Sequence, residues 1–386
     1  MIKNKAVFTI YENKYVLMHI AGNRAEHIYV YDDLDEMPLG TVINCRVERQ
    51  TENIGASFVR YGKNNTGFIN KPIKPETVLA LQYKKEPVND KKALFTDKIT
   101  IEGEYVVVTE HSDHVKVSSK IPDDKRKQIA ETVSPIIKQS GMGAIVRTKA
   151  YTDENGVEKA IEEFEIIKKR LEKIHEKSPH LPDYSILYSP LPSFVSDLMY
   201  LIDQGIEEVV TDDPEIMEAL ENKYEAMSGP VSVTDRVSTR MYEDKLIDLC
   251  NLYSFNAKIS EALSRKVYLK SGVYIMIDQT EALVTVDVNS AGCTKGKGRN
   301  DTFLAINLEA VKEIARQIRL RNLSGMIVID FINMDSQSDY DTLASAIEAE
   351  LKADRINCRF VDFTGLKLAE LVRNRSGRTL YRSLQS

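Results

Sequence analysis

The sequence predicts an α/β protein of several domains. Three observations carry that reading. Strand-like alternation opens the chain, short and closely spaced strands follow, and strands alternate with helices through the last third. A length of 386 residues with 42% apolar content suits two to four compact units rather than one.

Residues 5–36 alternate with period two. Ala6 to Ile10 and Tyr15 to Met18 are separated by the turn-prone pair Glu12 and Asn13, a hairpin pattern. Residues 37–101 change texture: short strands at 41–47 and 56–61 alternate with turns at 62–65 and 71–72, which predicts a small β-barrel. Residues 102–180 mix strands at 105–109 and 143–148 with helices at 123–139 and 156–176. Four prolines within 178–192 predict a linker. Residues 193–262 look α/β, with a helix over 194–204 and a strand over 207–211. A further helix starts at Asp213, with Pro214 at its first position. Residues 263–386 predict a β-β-α-β-α-β order. Strands fall at 273–278, 282–288, 325–332 and 357–362, and helices at 302–321 and 339–352.

The net charge of −6 weighs against a non-specific polyanion binder, yet a local basic stripe would suffice for nucleic acid. Cys45, Cys250, Cys293 and Cys358 form no Cys-x-x-Cys pair and no zinc spacing, a usage that suits a reducing cytosol. The first twelve residues carry charge throughout, and no stretch reaches the roughly 18 apolar residues of a membrane span. Composition therefore predicts a soluble, cytoplasmic protein.

The most informative segment is 284–290, an apolar strand that leads to Asp287, with Asn289 two residues on and in phase. Residues 326–330 repeat the device and end at Asp330. The helix between them is long enough to let the two strands lie side by side. The carboxylates would then converge and repel one another unless a cation neutralised them. Mg²⁺, a hard oxygen-loving ion, suits one or two carboxylates plus substrate phosphate, and can activate water and steady the charge on a phosphodiester. Asn289 would hold a carboxylate in place. Alternatively both acids merely cap the turns that follow them. Spacing alone leaves the two readings open. Basic residues flank the pair: Lys295, Lys297 and Arg299 in a Gly-rich loop, Arg316, Arg319 and Arg321 at a helix end, and Arg373, Arg375, Arg378 and Arg382 in the tail. Such donors suit phosphate, though cations also settle at helix C-termini.

The segments 307–321 and 323–334, with 286–290, resemble the signature of the ribonuclease E/G family. That resemblance implies a split RNase H-like domain (1–36 and 193–262). It further implies an inserted OB-type RNA-binding barrel (37–101), a 5′-sensor α+β domain (102–192) and a DNase I-like α/β catalytic domain (263–386). It implies that Asp287 and Asp330 bind Mg²⁺, for which Mn²⁺ can substitute, with Asn289 in support. Hydrolysis would leave a 5′-phosphate and a 3′-hydroxyl. Arg147 and Thr148 match the pair that grips a 5′-monophosphate, a task a guanidinium and a hydroxyl can perform. Phe58, Phe68 and Lys91 match the family's RNA contacts on the barrel, where aromatics stack unpaired bases. Phe58 and Phe68 could equally fill the barrel core.

The chain departs from the family in three places, one of them a short barrel with a compact connection to the sensor. It has no Cys-Pro-x-Cys zinc link, so zinc is not expected, and the chain would be a monomer or a homodimer joined by another contact. Gly292 stands where relatives often place a basic residue. The expected function is an endoribonuclease that processes rRNA, tRNA or mRNA precursors in single-stranded regions. The alternative is a catalytically silent RNA-binding protein of the same fold, associated with the ribosome. A DNA nuclease or phosphatase would use the same metal geometry.

Overall fold

The computed structural model describes residues 4–51, 55–87, 92–226, 229–289 and 299–385, with side chains at 299–302 left aside. The chain divides into two compact units. One comprises residues 1–34, 194–222 and 232–386, the other residues 35–193 and 223–231.

In the first unit, Asn4–Tyr11, Lys14–Ala21 and Arg24–Tyr31 form an antiparallel meander. Glu12 and Asn13 both take positive φ (50° and 61°), the backbone a two-residue hairpin requires. Glu208–Thr211 adds parallel to the first strand, and Ser238–Met241 adds parallel beyond it. The helix Pro214–Glu221 starts as the sequence predicts. Asp213 accepts the Ile216 N–H at 3.0 Å, and Pro214 follows it.

A second, six-stranded sheet in this unit runs Lys266–Tyr268, Tyr274–Gln279, Leu283–Asn289, Gly325–Asp330, Ala369–Arg373, Cys358–Phe363 across its width. The long helix Arg299–Leu320 crosses from the third strand to the fourth and makes them parallel neighbours. Both this helix and Gln337–Leu351 pack on one face. Ile306, Ala310, Ile314, Ile318, Leu343 and Ile347 close over Ile275, Val286, Val288, Ile327 and Ile329. The sheet has two strands more than the predicted β-β-α-β-α-β order. Lys266–Tyr268 has only three residues, and Ala369–Arg373 inserts between strands that precede it in the chain.

In the second unit, five strands close a barrel: Val42–Thr51, Ala56–Arg60, Thr66–Ile69, Ala93–Thr96 and Val78–Lys85. The last pairs back with the first. Its core holds Cys45, Val47, Val59, Ile69, Leu81, Tyr83 and Phe95. A four-stranded sheet follows, in the order Val115–Val117, Gly143–Val146, Val106–Thr109, Thr100–Glu102. It is backed by the helices Asp123–Lys138 and Gly156–Lys177. The Glu163 carboxylate accepts the backbone N–H groups of Glu104, Tyr105 and Val106 at 2.7 to 3.0 Å, which fixes the turn between two of these strands. The proline-rich stretch 178–192 is no free linker. It carries a one-turn helix, Ser178–His180, and a strand, Ile186–Tyr188, that pairs with the first barrel strand.

Candidate active site

Period-two alternation decides what the six-stranded sheet presents on the face opposite its two packed helices. Val284, Val286 and Val288 point into the core, so Thr285, Asp287 and Asn289 point away from it. On the next strand Ile327 and Ile329 are buried, and Met326 and Asp330 are exposed. The parallel register pairs Asp287 directly with Asp330 at the C-terminal ends of their strands. Two carboxylates on adjacent strands, one opposite the other, therefore share an open surface. Burial first, then the negative charge of Asp330, raises the Asp287 carboxyl above its ordinary value. Asn289, half-buried, follows Asp287 on the same face and stands opposite Tyr274.

The strand end that carries Asp330 is anchored from below. Asn307, fully buried on the long helix, donates to the Ile332 carbonyl at 2.8 Å and accepts the Ile332 N–H at 3.1 Å. Lys367 donates to the Met334 carbonyl at 3.2 Å. These anchors escaped sequence reasoning. The signal available for Asn307 was an amide among the apolar positions of a helix, at the start of the segment 307–321 that resembles the family signature.

Among the described residues, no three or more His, Cys, Asp or Glu side chains form a group that could hold a metal ion. The donor set at the site is two hard carboxylate oxygens with a neighbouring amide. That set fits an ion that keeps most of its water and binds substrate phosphate, as Mg²⁺ does. It does not resemble the thiolate and imidazole sets that favour zinc.

The other sequence-predicted residues lie on the second unit. Phe58 and Phe68 are direct cross-strand partners, half-buried, and neither belongs to the barrel core. The Arg49 guanidinium lies 4.4 Å from the Phe58 ring centroid. Arg60, on the same face as Phe58, is bound to Glu48, with Nε at 2.8 Å from the carboxylate, so its charge is already partnered. Lys91 and the Gly-rich loop 292–298 lie outside the described residues. The strand Gly143–Val146 stops one residue short of Arg147, and Thr148 precedes a short helix, Lys149–Thr152. Arg147 is exposed and donates to the Gly103 carbonyl at 2.7 Å, and the Thr148 hydroxyl lies 3.0 Å from that of Ser118.

Several of the expected phosphate donors serve the fold instead. Arg316 is buried and holds Glu313 at 2.7 Å. Arg321 is buried, bound to Gln317 and the Ser264 carbonyl. Arg373 is buried against Asp354, and Arg378 pairs with Asp32. Sequence shows a charge but not whether the helix face beneath it is covered, which is why the arginine cluster read as a phosphate surface. Cys45, Cys250 and Cys358 are free thiols whose acidity burial suppresses, Cys358 to about 11, so none is a thiolate nucleophile at neutral pH.

Comparison with known proteins shows the family of the chain. The model of the "Ribonuclease E/G family" matches residues 100–376. A ribonuclease E from Nostoc sp. is 31% identical over 361 residues, covering 89% of this chain and 52% of that protein. A ribonuclease E from Synechocystis sp. is 31% identical over 326 residues, covering 83% and 47%. A ribonuclease G from Escherichia coli is 28% identical over 385 residues, covering 93% and 77%. The chain thus spans about half the length of the ribonuclease E relatives it matches. On the extent of the family match and the breadth of these similarities, the chain belongs to the ribonuclease E/G family.

Proposed function

We propose that this protein is an endoribonuclease that hydrolyses single-stranded RNA with the help of Mg²⁺ held by Asp287 and Asp330. The observation that carries the reading is the direct register of these two carboxylates on adjacent parallel strands, exposed on the sheet face opposite the two packed helices. When bound, the ion supplies Lewis acidity at a phosphodiester and offsets the charge that builds there during attack. The chain's own residues do the rest. Asp287 and Asp330 fix the ion from two strands locked in register, Asn289 orients a carboxylate, and Asn307 positions the strand end that bears Asp330. Cleavage leaves 5′-phosphate and 3′-hydroxyl ends.

The rest of the chain grips RNA. The Phe58–Phe68 pair on the barrel stacks unpaired bases, Lys91 adds a basic contact to RNA, and Arg147 with Thr148 receives a 5′-monophosphate. In this reading the five-stranded sheet is an RNase H-like domain and the six-stranded sheet a DNase I-like catalytic domain. The barrel is the OB-type insert, and the four-stranded sheet with its helices is the 5′-sensor. The substrates are rRNA, tRNA or mRNA precursors in the cytoplasm. No helix among the described residues is long and apolar enough to cross a membrane.

The test is incubation of 5′-labelled RNA with the protein and Mg²⁺, beside Asp330→Ala and Asp287→Asn. The wild type cuts; both variants bind RNA as tightly and do not cut. Wild-type cleavage by either variant rejects the two-carboxylate mechanism.

A further inference from the structure

The sheet face opposite the packed helices extends past the carboxylates to the outermost strand, and an aromatic pair stands there. On Lys266–Tyr268 and Tyr274–Gln279, Val267 and Ile275 are buried in the core, so Lys266, Tyr268, Tyr274 and Met276 face the other way. That is the side of Asp287 and Asn289. Register makes the series continuous: Tyr268 opposes Tyr274, which opposes Asn289, and Lys266 opposes Met276, which opposes Asp287. Tyr274 is thus a diagonal neighbour of Asp287, about 7–8 Å away along the sheet. Tyr268 lies one strand spacing beyond, about 5 Å farther.

The two rings meet edge to face with centroids 6.0 Å apart. Lys266 Nζ sits 3.7 Å from the Tyr274 centroid and 4.7 Å from that of Tyr268. Tyr268 is nevertheless 66% exposed, so most of a large ring is left to solvent beside a fixed cation. A cross-strand aromatic pair can serve sheet pairing alone, and a lysine can blunt an outer strand. Neither role needs a ring this exposed, nor places the group on the carboxylate side. Ring faces stack bases and an ammonium attracts phosphate, the pairing of groups that binds single strands.

We propose that Tyr268 and Tyr274, with Lys266 against their rings, form a stacking platform for an unpaired base a nucleotide or two from the phosphate held at Asp287 and Asp330. This rests on the endoribonuclease reading above and adds a subsite to it. Lys266 steadies the backbone of the nucleotide, and the open ring of Tyr268 takes the base.

The test separates stacking from cleavage. A series of short single-stranded RNAs, each abasic at one position, is titrated against the full chain by fluorescence anisotropy in EDTA, where no divalent ion is bound. For the wild type, one position loses roughly 5- to 150-fold in affinity when abasic. Tyr268→Ala lowers affinity for intact RNA by a similar factor and shows no further loss at that position, whereas Tyr268→Phe keeps the wild-type profile. Tyr274→Ala repeats the result if it folds; Tyr268, the more exposed ring, decides it alone otherwise. An abasic profile unchanged between wild type and Tyr268→Ala overturns the platform. Whether the wild type cuts the same RNA in Mg²⁺ is read separately and bears only on the endonuclease reading.

Discussion

Replacing Asp354 by Ala will destabilise the unit that carries the carboxylate pair, because it strands a buried guanidinium. Arg373 and Asp354 are 4% and 3% exposed at their side chains. Arg373 Nε donates to Asp354 at 2.7 Å, and its terminal nitrogens reach Asp354 at 3.3 Å, Asn322 at 2.8 Å and the Leu323 carbonyl at 3.0 Å. Removing the carboxylate leaves a desolvated charge with only neutral partners, a loss of about 3–5 kcal/mol. At about 2–4 °C per kcal/mol for a unit of this size, the melting temperature falls by roughly 6–20 °C. Arg373 stands opposite Gly325, the first residue of the strand that ends at Asp330, so the loosened strand is one the site depends on. Thermal and urea unfolding followed by circular dichroism measure the effect. The double variant Asp354→Leu/Arg373→Met recovers most of the loss, since an apolar pair of similar volume removes the stranded charge. A loss below about 1 kcal/mol in Asp354→Ala, the size expected of a solvent-exposed pair, would refute the reasoning.

Other changes test the remaining parts of the argument. Burial lowers His19 from its ordinary value, and burial with the charges of His19 and nearby arginines lowers His27 to about 3. The unfolded chain binds those protons as pH falls through about 6.5 while the folded chain does not, so stability is full above that pH and declines from there toward 3. Urea midpoints at neutral and acid pH will show this, and His27→Phe will flatten the acid limb. Arg147→Gln will bring cleavage of 5′-monophosphate and 5′-hydroxyl RNA to equal rates; an unchanged ratio removes the sensor assignment. Gly67→Ala will destabilise the barrel by about 1–3 kcal/mol, since a Cβ there would lie 2.7 Å from the Phe95 ring and 2.8 Å from the Ala93 carbonyl. Asn307→Ala will lower kcat and leave RNA affinity unchanged, because it releases both polar groups of Ile332; parallel loss of affinity would contradict a positioning role.

Much of this fold was legible because local patterns agreed with the tertiary answer. The opening hairpin declared itself by alternation around Glu12 and Asn13. The Leu283–Asn289 and Gly325–Asp330 strands did so by apolar runs that stop at an acid, with a helix between them that makes parallel pairing natural. What escaped was non-local. Ala369–Arg373 is short and buries an arginine, and its place beside Gly325–Asp330 depends on a chain reversal no periodicity encodes. Lys266–Tyr268 is too short to show a pattern, so the aromatic pair it presents stayed invisible. Arg316, Arg321 and Arg373 misled because charge is written in the sequence and burial is not: Arg316 is held by Glu313, Arg321 by the Gln317 amide and the Ser264 carbonyl, and Arg373 by Asp354.

The seam on the barrel limits how the chain can be cut. Its first strand is flanked by Ile186–Tyr188, which arrives after the whole four-stranded sheet has been laid down. Asn44, with no exposed surface, donates to the carbonyls of Ser178 and Leu181 and accepts from the Ser178 hydroxyl. A fragment ending near residue 101 would bare that amide and offer an open β-edge to any second copy. The barrel is therefore not a cassette that can be transplanted alone, and swaps between relatives will succeed only when both ends of the seam travel together.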